Sequence, residues 1–171
     1  RRSWYLDQLE RRYPLLIAGM RKEVDAYKSE LYKFEHDLPY NGGVIEDRYT
    51  RLIRAIFDSN YLLRPIYVST EIEQQYLNGY SKVPAGLLFQ LNRGELSNYR
   101  EPLVFSFRMP QNSDKYVEGI VLMYARAYLN YAIYANMSGT REEALKYVEN
   151  ALLLEPDYPE AVAWRQKILA R

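Results

Sequence analysis

Apolar residues recur at steps of three and four along much of the chain, which predicts a largely helical protein. A first helix begins at Ser3, which can cap it, and ends at residues 13–14. A second helix is predicted over residues 15–36 and a third over residues 44–60. Their apolar stripes are expected to pack against each other in an antiparallel pair.

The pattern changes in the middle of the chain. Residues 64–69, 86–91 and 103–107 are predicted to be short strands. Between the first two, residues 70–73 (TEIE) have the pattern of a capping box and predict a short helix to about residue 80. The expected fold class is therefore mainly α with a small β component (α+β).

From residue 115 the pattern is helical to the end. A long helix should end at residues 138–139, and a second capping box at residues 140–143 (TREE) should open the next. A last helix starts near residues 157–160. We therefore expect a mixed helical and strand region over 1–110, and a tetratricopeptide-like helical hairpin with a capping helix over 111–171.

Residues 128–156 resemble one tetratricopeptide repeat, in which small residues let two antiparallel helices approach closely before a turn. The residues expected to pack the repeat are Ala132, Ala144, Val148, Ala151 and Pro156. Tyr131 and Ala135 depart from the pattern, because the repeat prefers Leu and Tyr at these positions. A single repeat cannot bury its own face, so this one packs on the rest of the chain, acts as a cap or continues into a partner.

Three further segments occur in a fixed order before the repeat: residues 4–9 (WYLDQL), 64–68 (RPIYV) and 86–91 (GLLFQL). Together they resemble the soluble C-terminal part of bacterial protein O-mannosyltransferase-like membrane proteins, whose membrane half is of the GT-C type. The resemblance implies that the acidic residues for glycosyl transfer lie in that membrane half. It therefore places no catalytic residue in this chain, which lacks an initial Met and is expected to be a piece of a longer protein.

The resemblance also implies a location and a role. The full-length protein would be membrane-associated only through segments upstream of this chain, and this soluble domain, expected outside the cytoplasm, would position a protein partner or a glycosyl acceptor. The alternative is a free-standing, cytoplasmic tetratricopeptide-type adaptor that binds a peptide. The predicted strands favour the first hypothesis, because a plain repeat adaptor would be all helix.

Composition excludes several kinds of site. The 171 residues carry a formal net charge of +1, without the cationic excess that non-specific nucleic-acid binding needs. With no cysteine there can be no disulfide and no thiolate metal ligand. His36 is the only histidine and falls at a predicted helix end. No phosphate-binding loop or nucleophile elbow is present, so we expect no catalytic, cofactor or metal site in this chain. A small acid–base enzyme that uses a pair of its 22 acidic residues is the third hypothesis.

Tyrosine is the abundant residue type, with 18 in the chain. In the long C-terminal helix several recur at helical spacing, so most should lie in the core. Because tyrosine combines an apolar body with a polar tip, it also suits a peptide- or glycan-binding surface. Tyr128, Tyr131 and Tyr134 are the candidates for ligand contact, and packing within the repeat is the alternative.

Overall fold

The computed structural model describes residues 3–94, 103, 105 and 114–170. Seven α-helices and one three-stranded antiparallel sheet occur among these residues, which confirms a mainly α fold with a small β component. The chain forms two compact units. The N-terminal unit contains residues 1–66 and 72–78, and the C-terminal unit contains residues 67–71 and 79–171. This division differs from the predicted boundary at residue 110, because the strands pack with the C-terminal helices.

Four helices build the N-terminal unit: α1 (Ser3–Arg12), α2 (Pro14–Ala18), α3 (Arg21–Glu35) and α4 (Gly42–Asn60). The tyrosine pair Tyr27–Tyr49 joins α3 to α4 with ring centroids 5.5 Å apart, and Leu31 lies beside Ile45. Residue numbers thus run in opposite directions along the two helices, which form the antiparallel pair that was predicted.

The single helix predicted over residues 15–36 is wrong at its start, because the chain breaks at Gly19 and Met20 between α2 and α3. The backbone of Gly19 passes so close to α4 that a Cβ added there would come within 3.3 Å of Ser59. The break lets Ile17 and Met20 both enter the core. Close packing on α4 thus replaces a continuous helix.

The helix predicted from residue 70 to about residue 80 is also wrong, since the only helical turn there is a 3-10 turn, Gln74–Leu77. Two adjacent residues of this turn, Tyr76 and Leu77, are both buried. Gly79 follows the turn with a φ of +83°. The Arg54 guanidinium on α4 donates to the Gln75 carbonyl at 2.7 Å. These contacts hold the turn against α4.

The sheet has the strand order β1-β3-β2, with β1 at Tyr67–Val68, β2 at Ser81–Ala85 and β3 at Leu88–Asn92. The sequence pattern did not predict β2, which contains Pro84. Because β2 is an edge strand, a proline without an N–H is tolerated there. Most of the strand predicted at residues 103–107 lies outside the described residues, although Leu103 and Phe105 contribute to the core of the C-terminal unit.

Three helices complete the C-terminal unit: α5 (Lys115–Met137), α6 (Arg141–Leu154) and α7 (Pro159–Leu169). Their limits agree with the predicted ones. Asp114 caps α5 by accepting from the backbone N–H groups of Tyr116 and Val117. The predicted capping box at residue 140 does not form, because the Thr140 hydroxyl donates to the Ala135 carbonyl at 3.0 Å instead.

Small side chains bring these three helices together. Fully buried alanines occur on each helix: Ala125, Ala132 and Ala135 on α5, Ala144 and Ala151 on α6, and Ala161 on α7. Val148 is equally buried, whereas Pro156 is exposed in the turn after α6. The small residues of this segment therefore lie at helix contacts, and Pro156 lies in the turn.

A β-hairpin packs against α5. Strands β2 and β3 are joined by the two residues Gly86 and Leu87, and Ala85 pairs with Leu88. Gly86 has a φ of +64° and Leu87 does not have a positive φ, which is the pattern of a type II′ turn. The Gly86 N–H donates to the Tyr131 hydroxyl at 3.0 Å, and Leu87 packs on the helical core. The hairpin thus covers one side of α5.

Candidate functional site

The structure places the three candidate ligand-contacting tyrosines in the core. Tyr128 is 9% exposed, Tyr131 1% and Tyr134 4%. The Tyr131 ring contacts Tyr147 of α6 with centroids 5.3 Å apart, while its hydroxyl accepts from the hairpin turn. The burial of all three leaves these side chains almost no surface for a ligand. In this structure they pack in the core, which is the alternative to the predicted ligand contact.

An apolar groove lies instead in the N-terminal unit, between α1 and α4. Its volume is about 410 Å³. Every lining residue is aliphatic or aromatic: Trp4, Tyr5, Leu6, Leu9, Tyr27, Tyr49, Leu52, Ile53 and Ile56. Trp4 and Tyr5 are exposed at its edge, whereas Leu6, Tyr27 and Leu52 are buried. The groove can therefore accept apolar side chains but has few polar groups to direct a reaction.

Ionic contacts hold α1, the first wall of the groove, on α3. The Lys28 ammonium pairs with Asp7 and lies 3.6 Å from a Glu10 carboxylate oxygen. The hydrogen bond to Asp7, together with the charges of both carboxylates, raises the pKa of Lys28 although burial opposes this. Arg21 pairs with Glu10 as well, and the Ser3 hydroxyl donates to Glu35 at 2.5 Å. These contacts fix α1 along its length.

On α4, the second wall, the 3-10 turn contacts Tyr49. The Tyr76 ring stands edge-on to the Tyr49 ring with centroids 5.7 Å apart. The Tyr76 hydroxyl donates to the Glu46 carboxylate at 3.2 Å. Burial is the main cause that raises the pKa of Tyr76, and the nearby charge of Glu46 acts in the same direction. Both walls are therefore positioned by contacts from outside the groove.

The sequence analysis did not predict this groove. Tyr49, Ile53 and Ile56 belong to the apolar stripe of α4, and that spacing predicts burial for all of them. In the structure α3 covers only one side of the stripe, and Ile53 and Ile56 are half-buried. A wide stripe on α4 opposite exposed aromatic residues on α1 is the one signal that could have indicated it.

A second depression, of about 720 Å³, lies in the C-terminal unit between α5 and the start of α7. Its charged lining residues are the cations Lys115 and Arg126 and the carboxylates Glu118, Glu155, Asp157 and Glu160. Charges of both signs therefore surround it. Such a surface selects no single class of ligand as clearly as the apolar groove does.

The described residues form no group of three histidine or acidic side chains that could hold a metal ion. His36 follows the last turn of α3, where its ring stacks on Tyr32 at 3.9 Å and its Nδ1 lies 2.9 Å from the Tyr32 carbonyl oxygen. This is the helix end at which the sequence placed it. None of the helices in the described part of the chain is long and apolar enough to cross a membrane.

Comparison with protein-family models, with curated proteins and with solved structures finds no match. The three segments that resemble O-mannosyltransferase-like proteins lie in α1, before and within β1, and across the hairpin turn into β3. That resemblance stays a prediction. The functional conclusion therefore depends on the residues of the chain itself, and above all on the apolar groove.

Proposed function

We propose that this chain is a non-catalytic interaction domain that binds a protein partner in the apolar groove between α1 and α4. The groove itself is the observation that carries the proposal. It combines a volume of about 410 Å³ with a lining of aliphatic and aromatic residues and exposed aromatic side chains at its edge. Contiguous apolar surface on a soluble domain is typical of interaction sites.

The shape of the groove favours a helical segment of the partner. Two helices form its walls and buried residues of α3 and α4 form its floor. An amphipathic helix fits such a site by inserting large apolar side chains at positions i, i+3 or i+4, and i+7. Because ionic and aromatic contacts already hold both walls, little conformational entropy is lost on binding.

The wider role that we propose follows the resemblance of the three segments. This domain would belong to a membrane glycosyltransferase-like protein, outside the cytoplasm, and would hold a partner or a glycosyl-acceptor protein near the membrane enzyme. The free-standing tetratricopeptide-type adaptor is the alternative. Its binding surface would have been the tyrosines of α5, and their burial weighs against it.

A charge placed in the groove tests the proposal. We expect Ile53→Asp to reduce recovery of the partner with the tagged chain at least tenfold, because a carboxylate in an apolar contact loses its hydration without a compensating partner. Tyr5→Ala at the exposed edge should reduce recovery less, and it serves as a second variant if Ile53→Asp does not fold. Recovery is measured by quantitative mass spectrometry of affinity-purified complexes from the source cells.

Leu153→Asp is the matched control, because Leu153 is 80% exposed on α6 and belongs to the C-terminal unit. It introduces the same charge and should leave recovery unchanged. Equal loss from Ile53→Asp and Leu153→Asp, or no loss from either groove variant, would contradict the proposal.

A further inference from the structure

The outward face of α1 has an unusual composition. The exposed residues of this helix are Trp4, Tyr5, Gln8, Arg11 and Arg12. Both acidic residues of α1, Asp7 and Glu10, are turned toward α3, where Lys28 and Arg21 pair with them. The exposed side of α1, on which Trp4 and Tyr5 also border the groove, therefore combines aromatic rings with two cations and has no negative charge.

Exposed apolar residues follow directly after the end of α1 in the chain. Tyr13 is exposed, and Leu15 in α2 is 88% exposed. Tyr5, Arg12 and Tyr13 line one shallow depression, and the Trp4 ring stands edge-on to Tyr5 with centroids 6.0 Å apart. We name this surface the aromatic–arginine face: Trp4, Tyr5, Arg11, Arg12, Tyr13 and Leu15.

The two arginines of this face have no ion pair or hydrogen bond with any residue that the structure describes. Arginines that stabilise α1 internally would instead pair with nearby carboxylates, as Arg21 does with Glu10. Their positive charge is thus available to an external ligand. An anionic partner complements it.

We propose that the aromatic–arginine face binds the surface of an anionic lipid bilayer. Tryptophan and tyrosine side chains favour the membrane–water interface, where the ring lies among the acyl chains and the polar atom stays hydrated. Arginines near an anionic bilayer each strengthen binding by electrostatic attraction. Leu15 adds an aliphatic side chain for the hydrocarbon boundary, as in helices that lie along a membrane surface.

Single-stranded nucleic acid is the other anionic partner that aromatic rings and arginines can bind. Leu15 favours the bilayer, because an aliphatic side chain offers no flat ring surface on which a base can stack. The bilayer also accounts for the position of Trp4 and Tyr5 beside two arginines on one helix face. The test must therefore distinguish nucleic-acid binding from bilayer binding.

The experiment is sedimentation of the full chain with vesicles of phosphatidylcholine containing about 30% phosphatidylserine, against pure phosphatidylcholine vesicles. We expect binding to the anionic vesicles alone, and weaker binding as salt screens the charges. One arginine contributes about a fivefold change in partitioning. The double variant that combines Arg11→Glu and Arg12→Glu should therefore reduce partitioning onto anionic vesicles by more than tenfold.

Lys115→Glu with Lys146→Glu is the matched control, because it changes the net charge equally on exposed residues of the C-terminal unit. It should leave partitioning within about twofold, since its charges lie off the face. Equal loss from both double variants would overturn the proposal, as would the absence of binding to anionic vesicles. Binding of a single-stranded oligonucleotide in place of vesicles would also overturn it.

Trp4 supplies a direct reading of contact. The chain has two tryptophans, so Trp164→Phe leaves Trp4 as the only one. Its emission should shift to shorter wavelength when anionic vesicles are added, and an unchanged emission would contradict insertion of this face. Ile53→Asp should not alter vesicle binding, because Ile53 lies on the opposite wall of the groove. Failure of vesicle binding, with partner recovery still lost in Ile53→Asp, would reject this inference and leave the proposed function standing.

Discussion

At the scale of single residues, side-chain volume sets the distance between α5 and α6. The alanines at this contact have no accessible surface, and larger residues such as Tyr131 and Tyr147 fill the space beside them. Interiors packed to this density have no room for additional atoms. Larger side chains at these positions should therefore lower the free energy of unfolding through steric overlap.

Ala151→Leu should lower the free energy of unfolding by about 1–3 kcal/mol, because three additional carbon atoms must fit into a filled contact. Urea denaturation followed by circular dichroism measures the change. Ala163→Leu on the exposed side of α7 is the matched control and should alter stability by less than about 0.5 kcal/mol. A destabilisation of equal size in both variants would show that α6 does not approach α5 as closely as described.

The ion pairs of Lys28 predict how the stability of the fold depends on pH. Since the pKa of Lys28 is raised above its ordinary value of 10.5, its contribution to stability is complete below pH 10.5 and is lost as pH rises through the higher pKa of the folded state. Lys28→Met should cost about 1 kcal/mol at pH 7. The difference from the unsubstituted chain should shrink above pH 10.5.

Urea denaturation of the two chains at pH 7 and at pH 11.5 tests this dependence. Lys22→Met is the control, because Lys22 is exposed on the same helix. The free energies of unfolding of Lys22→Met and of the unsubstituted chain should differ little at both pH values. A Lys28→Met difference that stays constant with pH would argue against the pairing with Asp7 and Glu10.

At the scale of elements, most helices and the strands β1 and β3 were predictable, whereas the break between α2 and α3, the 3-10 turn and β2 were not. The limits of α5, α6 and α7 follow from turn residues and apolar spacing within each segment, and α5 alone of the three has a side-chain N-cap. The break at Gly19 and the 3-10 turn instead depend on contact with α4, which is distant in sequence. Strand β2 exists because β3 pairs with it, and no local pattern around Pro84 predicts that pairing.

The contact between the β-hairpin and α5 is testable through one hydroxyl. Tyr131→Phe removes the oxygen that accepts from the Gly86 N–H and leaves a partly buried donor unpaired, which should cost about 1–2 kcal/mol. Hydrogen exchange of the Gly86 amide should become faster, whereas exchange of the α3 amides should not change. Unchanged exchange at Gly86 would mean that the hydroxyl does not hold the turn.

At the scale of the whole molecule, the candidate site follows from an incomplete cover on one helix. The apolar spacing of α4 correctly predicted a buried side, but spacing alone cannot show that Ile53 and Ile56 stay half-buried beside an open groove. The same limit explains the tyrosines of α5, which suited a binding surface by composition but are buried in the structure, Tyr131 against Tyr147 and the hairpin turn. Tertiary contacts, which are absent from any local pattern, decide both cases.

The central claim is that a protein partner occupies the apolar groove. Its most direct test is a photo-activated cross-linking residue, p-benzoylphenylalanine, placed at position 53 in the full chain and irradiated in the source cells. Position 153, exposed on α6, carries the same residue as the control. We predict a discrete cross-linked species from position 53 that is absent from position 153. No species from position 53, or the same species from both positions, would contradict the account.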